Sequence, residues 1–105
     1  MAKKTIMLVC SAGMSTSLLV TKMQKAADER GMDADIFAVS ASEADNNIES
    51  KNIDVLLLGP QVRFMKNQFA DKLAPLGIPL DVINMSDYGM MNGEKVLDQA
   101  ESLMK

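Results

Sequence analysis

Leu8-Val9-Cys10-Ser11-Ala12-Gly13-Met14-Ser15-Thr16-Ser17 leaves an apolar segment, crosses a short loop of small and hydroxylated residues, and enters a helical pattern. Upstream, Thr5 to Val9 is a continuous apolar run with β-branched members, the pattern of a strand buried on both faces. Downstream, Leu18, Leu19, Val20, Met23, Ala26 and Ala27 recur at helical spacing, with Lys22, Lys25 and Glu29 on the other side. Ser15 or Thr16 is the expected cap of this helix and Gly31 its stop. A strand, a Gly-containing loop and a helix N-terminus in succession can direct several backbone N–H groups at one spot and make an anion site. Cys10, the sole cysteine, is the first residue of that loop, and the same field favours a thiolate over a thiol.

The remaining elements follow by the same reading. Asp33 to Val39 is a second strand, its Asp35 suited to an edge. Ser40-Ala41-Ser42-Glu43 has capping-box spacing and predicts a short helix to about Ser50. Asp54 to Leu58 is the most apolar run and predicts a central strand. Pro60 suits the start of a further helix, whose stripe is Val62, Met65, Phe69 and Leu73 and whose end is Pro75. Ile78 to Ile83, with Pro79 and Asp81, predicts an edge strand. Asn84 to Gly93 reads as a loop, and a last helix carries Val96, Leu97, Ala100, Leu103 and Met104 on one face.

This alternation implies an α/β domain, residues 1–105, with a single open four-stranded parallel sheet and helices on both faces. Placing the two most apolar strands centrally gives strand order 2-1-3-4. Ligands bind such sheets beyond the strand carboxyl ends, where the strand order reverses. Two loops meet there: Cys10 to Ser17, and Gly59-Pro60-Gln61.

Composition narrows the chemistry. Fourteen acidic against eleven basic residues, with no basic run beyond Lys3-Lys4, argue against a nucleic-acid binder. With no histidine the chain has no imidazole base and cannot itself carry phosphohistidine. One cysteine gives neither an internal disulfide nor a multi-cysteine metal site, so no metal or cofactor is expected and a reducing, cytoplasmic setting is. The apolar run after Lys3-Lys4 is too short for a signal peptide, Val9 is too bulky before a lipoprotein cysteine, and no stretch has membrane-spanning length. The ten methionines mostly fill strand and helix patterns, although Met14 and Met90-Met91 can offer adaptable contacts at a surface.

A lone cysteine at a strand end is commonly a small buried hydrophobe. Against that stand the hydroxyls of Ser11, Ser15, Thr16 and Ser17, Gly13, and the helix amides beyond them. A thiolate among such donors is matched to phosphoryl transfer, which depends on positioning and on stabilising charge at the equatorial oxygens. The low-molecular-weight protein tyrosine phosphatases use a comparable loop, with an arginine and then a hydroxyl residue after the cysteine. Here the arginine position is Thr16 and the hydroxyl position Ser17, and Asp87 is the only distal candidate for a general acid. The loop is therefore expected to receive and pass on a phosphoryl group rather than hydrolyse it, with a small cysteine phosphatase as the alternative.

Cys10 through Leu19, supported by Leu56-Leu57-Leu58-Gly59-Pro60-Gln61 and Tyr88-Gly89, resembles the IIB component of the bacterial sugar phosphotransferase system. The resemblance is to the lactose/cellobiose type, on its cellobiose/chitobiose side, and runs over essentially the whole chain. It implies a phosphocysteine at Cys10, loaded by a histidine-phosphorylated IIA protein and discharged to a sugar at the membrane component IIC. It also implies phosphate binding by the backbone of Ser11, Ala12, Gly13, Met14, Ser15, Thr16 and Ser17. Pro60, Gln61, Asp87 and Tyr88 are possible neighbours of the site. For Pro60-Gln61 a plain helix start, and for Asp87-Tyr88 a turn with an anchoring tyrosine, are the competing readings.

Overall fold

The computed structural model describes residues 4–10, 14–50 and 52–104, and for 14–16 the backbone alone. Its strands are β1 (Lys4–Cys10), β2 (Ala34–Ser40), β3 (Val55–Leu58) and β4 (Leu80–Val82). They form one all-parallel sheet in the order β2-β1-β3-β4, as the apolarity of the first and third strands predicts. Both central strands are buried on both faces, and alternation divides their side chains between two cores. Ile6, Leu8, Val55 and Leu57 enter one, and Met7, Val9, Leu56 and Leu58 the other. Full burial of each such side chain contributes about 1.5–3 kcal/mol. The edge strands carry the carboxylates: Asp35 is exposed, and Asp81 accepts from its own neighbour Val82 N–H at 2.8 Å.

The first core is closed by α1 (Met14–Glu29) and α5 (Gly93–Met104), the second by α2 (Ala41–Ser50) and α3 (Lys66–Leu73). Leu19, Met23, Ala26 and Ala27 give α1 its buried stripe, and Gly31 ends the turn after it at φ +68°. Leu18 departs from expectation and is 51% exposed. It shares the helix face of Lys22, Lys25 and Glu29, one residue off the apolar stripe. Ser40 and Glu43 bond to each other through their side chains at 3.0 Å, so the predicted box contributes a side-chain pair at the start of α2.

Three expectations are corrected. Ser15 and Thr16 lie inside α1, which begins at Met14, and so do not cap it. The helix expected from Pro60 is a 3₁₀ stretch (Pro60–Met65) with Val62 at non-helical φ −115° and ψ 20°, before α3 begins at Lys66. That break lets both Val62 and Phe69 reach the same core. The expected loop 84–93 contains the short helix α4 (Met85–Gly89), because the Asn84 carboxamide accepts from the N–H groups of Ser86 (3.0 Å) and Asp87 (3.2 Å).

Candidate functional site

Cys10 is the last residue of β1, paired in register with Ser40 of β2. On its other flank the chain leaves β3 through Gly59, whose N–H donates to Val9 O at 2.8 Å. The cysteine thus stands at the carboxyl edge of the sheet, where neighbouring strands lead off in opposite directions. The N-terminal amides of α1 follow it after three residues and lack intrahelical acceptors. Its side chain has no exposed surface, and Sγ lies 4.0 Å from Val39 O. A thiolate at an anion site calls for a sulfur that a phosphoryl donor can reach; in this conformation the thiol is covered.

Of the expected phosphate-binding residues, Ser11, Ala12 and Gly13 lie outside the described residues. Met14, Ser15 and Thr16 supply the backbone of the first turn of α1. Ser17 is exposed, and its carbonyl accepts from Thr21 Oγ1 at 3.2 Å.

The second group of expected neighbours comes together in part. Gln61 Nε2 donates to Tyr88 Oη at 2.8 Å, joining the loop after β3 to α4. Pro60 opens the 3₁₀ stretch, and with Gln61, Arg63, Phe64, Met85, Tyr88 and Gly89 it lines a largely apolar groove of about 650 Å³. Asp87 is half-buried in the first turn of α4, with its carbonyl accepting from Asn92 N–H at 2.9 Å. Among the described residues no group of three or more His, Cys, Asp or Glu side chains can hold a metal ion. No described helix is long and apolar enough to cross a membrane.

The exposed apolar residues beside the site were only partly foreseen. Met90 is 76% exposed, whereas Met91 packs against the first core. Phe64, 78% exposed, and Met85, 60% exposed, follow the carboxyl ends of β3 and β4 and border the groove. Phe64 falls outside the Val62, Met65, Phe69 and Leu73 stripe, and that offset was the available signal for its exposure.

Residues 5–99 match the family described as the lactose/cellobiose-specific IIB subunit of the phosphotransferase system (PTS). The chain is 60% identical to the galactose-specific EIIB component of the PTS of Lactococcus lactis subsp. cremoris, covering 99% of each. It is 59% identical to the cellobiose-specific EIIB component of Lactococcus lactis subsp. lactis, again over 99% of each. The solution structure of the cellobiose-specific phosphotransferase IIB component from Borrelia burgdorferi superposes with a TM-score of 0.79 at 42% identity, covering 98% of this chain and 93% of that one. Sequence and fold converge: the chain belongs to the lactose/cellobiose-specific IIB subunits, phosphotransferase components of the sugar PTS.

Proposed function

We propose that Cys10 is the phosphoryl carrier of this IIB subunit. It accepts the group from a phosphohistidine of IIA and passes it, in the cytoplasm, to a β-linked disaccharide of the cellobiose, chitobiose or lactose class held by membrane IIC. The observation that carries this reading is the position of the only cysteine at the carboxyl end of β1, where the connections leaving β1 and β3 part, and just before α1. Backbone amides from Ser11 through Ser17 hold the phosphoryl oxygens. The chain has no histidine, which fits a division of labour in which the phosphohistidine belongs to IIA. Its relatives' names cover galactose and cellobiose at nearly equal identity, so the sugar is assigned by class.

The partners dock at the carboxyl edge of the sheet, where Phe64 and Met85 stand exposed around the apolar groove. Incubation with phosphorylated IIA is expected to give one phosphoryl adduct per chain, on sulfur, read by intact mass and phosphorus NMR. Cys10→Ser takes up none. A serine variant labelled as fully as the wild type would move the site elsewhere. Release of inorganic phosphate from an aryl phosphate, dependent on Cys10, would favour the phosphatase alternative.

A further inference from the structure

Gly59 has ordinary extended dihedrals, φ −63° and ψ 151°, which any residue adopts. The space around it is what is unusual. A Cβ at this position would stand 2.7 Å from Gln61 Oε1 and 3.6 Å from Cys10 Cβ. The Gln61 carboxamide therefore occupies the place of the missing side chain, across Gly59 from Cys10. Its Nε2 is fixed by the bond to Tyr88 Oη, and Tyr88 is only 9% exposed. An exposed glutamine has water for a partner, so a bond to a buried phenol restricts where its head sits rather than satisfying an otherwise orphaned group.

We propose that Gln61 and Tyr88 are positioning residues for group transfer at Cys10: the carboxamide, parked on the phenol across Gly59 from Cys10, turns its N–H onto the phosphoryl oxygens when the sulfur carries phosphate. This rests on the carrier reading of Cys10. In loading, the thiolate electron pair forms the S–P bond while the N–P bond of the phosphohistidine breaks and its pair returns to the imidazole nitrogen. In unloading, a sugar hydroxyl oxygen forms the O–P bond, the S–P pair returns to sulfur, and the hydroxyl proton passes to solvent. Charge on the three equatorial oxygens is common to both steps, and that is where a donor at position 61 acts. A neutral amide suits a group that must leave again, since hydrogen bonds from a charged donor are roughly twice as strong.

The test is rapid-quench transfer from phosphorylated IIA to wild type, Gln61→Ala, Gln61→Glu, Tyr88→Phe and Gly59→Ala, with intact mass at the end point, phosphorus NMR of the product and a melting curve for each. All are expected to reach one adduct per chain. Gln61→Ala lowers the first-order transfer rate about tenfold to a hundredfold, with KM for IIA unchanged, and moves the phosphorus resonance. Gly59→Ala, whose new methyl displaces only the flexible tip of Gln61, folds and behaves like Gln61→Ala, and Tyr88→Phe is slowed less. Gln61→Glu separates positioning from a structural latch. A carboxylate of the same length keeps the size and reach of the side chain but has no N–H to donate to phosphate. It is expected to be as slow as Gln61→Ala.

Wild-type rate and phosphorus shift in Gln61→Ala, or their restoration by Gln61→Glu, overturns the positioning role while leaving the carrier reading intact. A wild type that takes up no adduct overturns both.

Discussion

At the scale of single residues, burial of the Cys10 side chain sets a condition on its chemistry. A thiolate attacks only what can reach it, and here the sulfur has no exposed surface. Reaction of the native protein with an aromatic disulfide reagent is therefore expected to be at least about tenfold slower than in denaturant, which corresponds to a local opening of about 1.4 kcal/mol or more. Equal rates would show that the sulfur is open in solution. The place of Cys10 was legible because a buried strand, a glycine and a helical pattern follow one another within a single stretch. The Gln61–Tyr88 bond was not, since it joins residues 27 apart that meet only when β3 and β4 lie side by side. Pro60-Gln61 read locally is a helix start, and its side-chain partner comes from the fold.

At the scale of elements, strong apolar runs and weak turns behaved differently. β1 and β3 were plain because every residue of the runs Ile6–Val9 and Val55–Leu58 is buried, a pattern that only a central strand requires. α4 was hidden because its five residues show no apolar period, and its signal was the Asn84 cap alone. The start of α5 depends on a close approach that sequence pattern does not encode. A Cβ on Gly93 would lie 2.6 Å from the carbonyl carbon of Lys22 and 2.7 Å from Met23 N, backbone atoms of α1 that cannot swing aside. Gly93→Ala must therefore push α5 off α1, loosening Val96, Leu97 and Ala100 from Leu19 and Met23. The expected loss is about 1–3 kcal/mol, as for overpacked cores. In a domain of this size each kcal/mol lowers the melting temperature by roughly 4–8 °C, which thermal denaturation will read. A variant melting with the wild type would mean that the two helices separate freely at this end.

At the scale of the whole molecule, the two ends of the sheet are built for different tasks. The amino edge is tied down: Asp54 accepts from Thr5 N–H at 2.7 Å, and Asp54 N–H donates to Thr5 O at 2.9 Å. Near the end of α1, Arg30 bridges to α5 through Asp98 at 2.8 Å and Glu101 at 2.7 Å, and the Glu101 bond, foremost, raises its pKa. The carboxyl edge instead holds the covered Cys10, the Gln61–Tyr88 pair and the apolar groove with Phe64 at its rim. A ring that is 78% exposed contributes little to folding, yet aromatic residues dominate binding energy where they become buried in an interface. Phe64→Asp is accordingly expected to leave the melting curve within about 0.5 kcal/mol of wild type, as surface changes do. The same change should lower kcat/KM for transfer from phosphorylated IIA by about tenfold or more, chiefly through KM. Gln61→Ala acts on the first-order step instead, so the two variants measured side by side separate docking from chemistry. An unchanged kcat/KM in Phe64→Asp would place the IIA contact on another part of the surface.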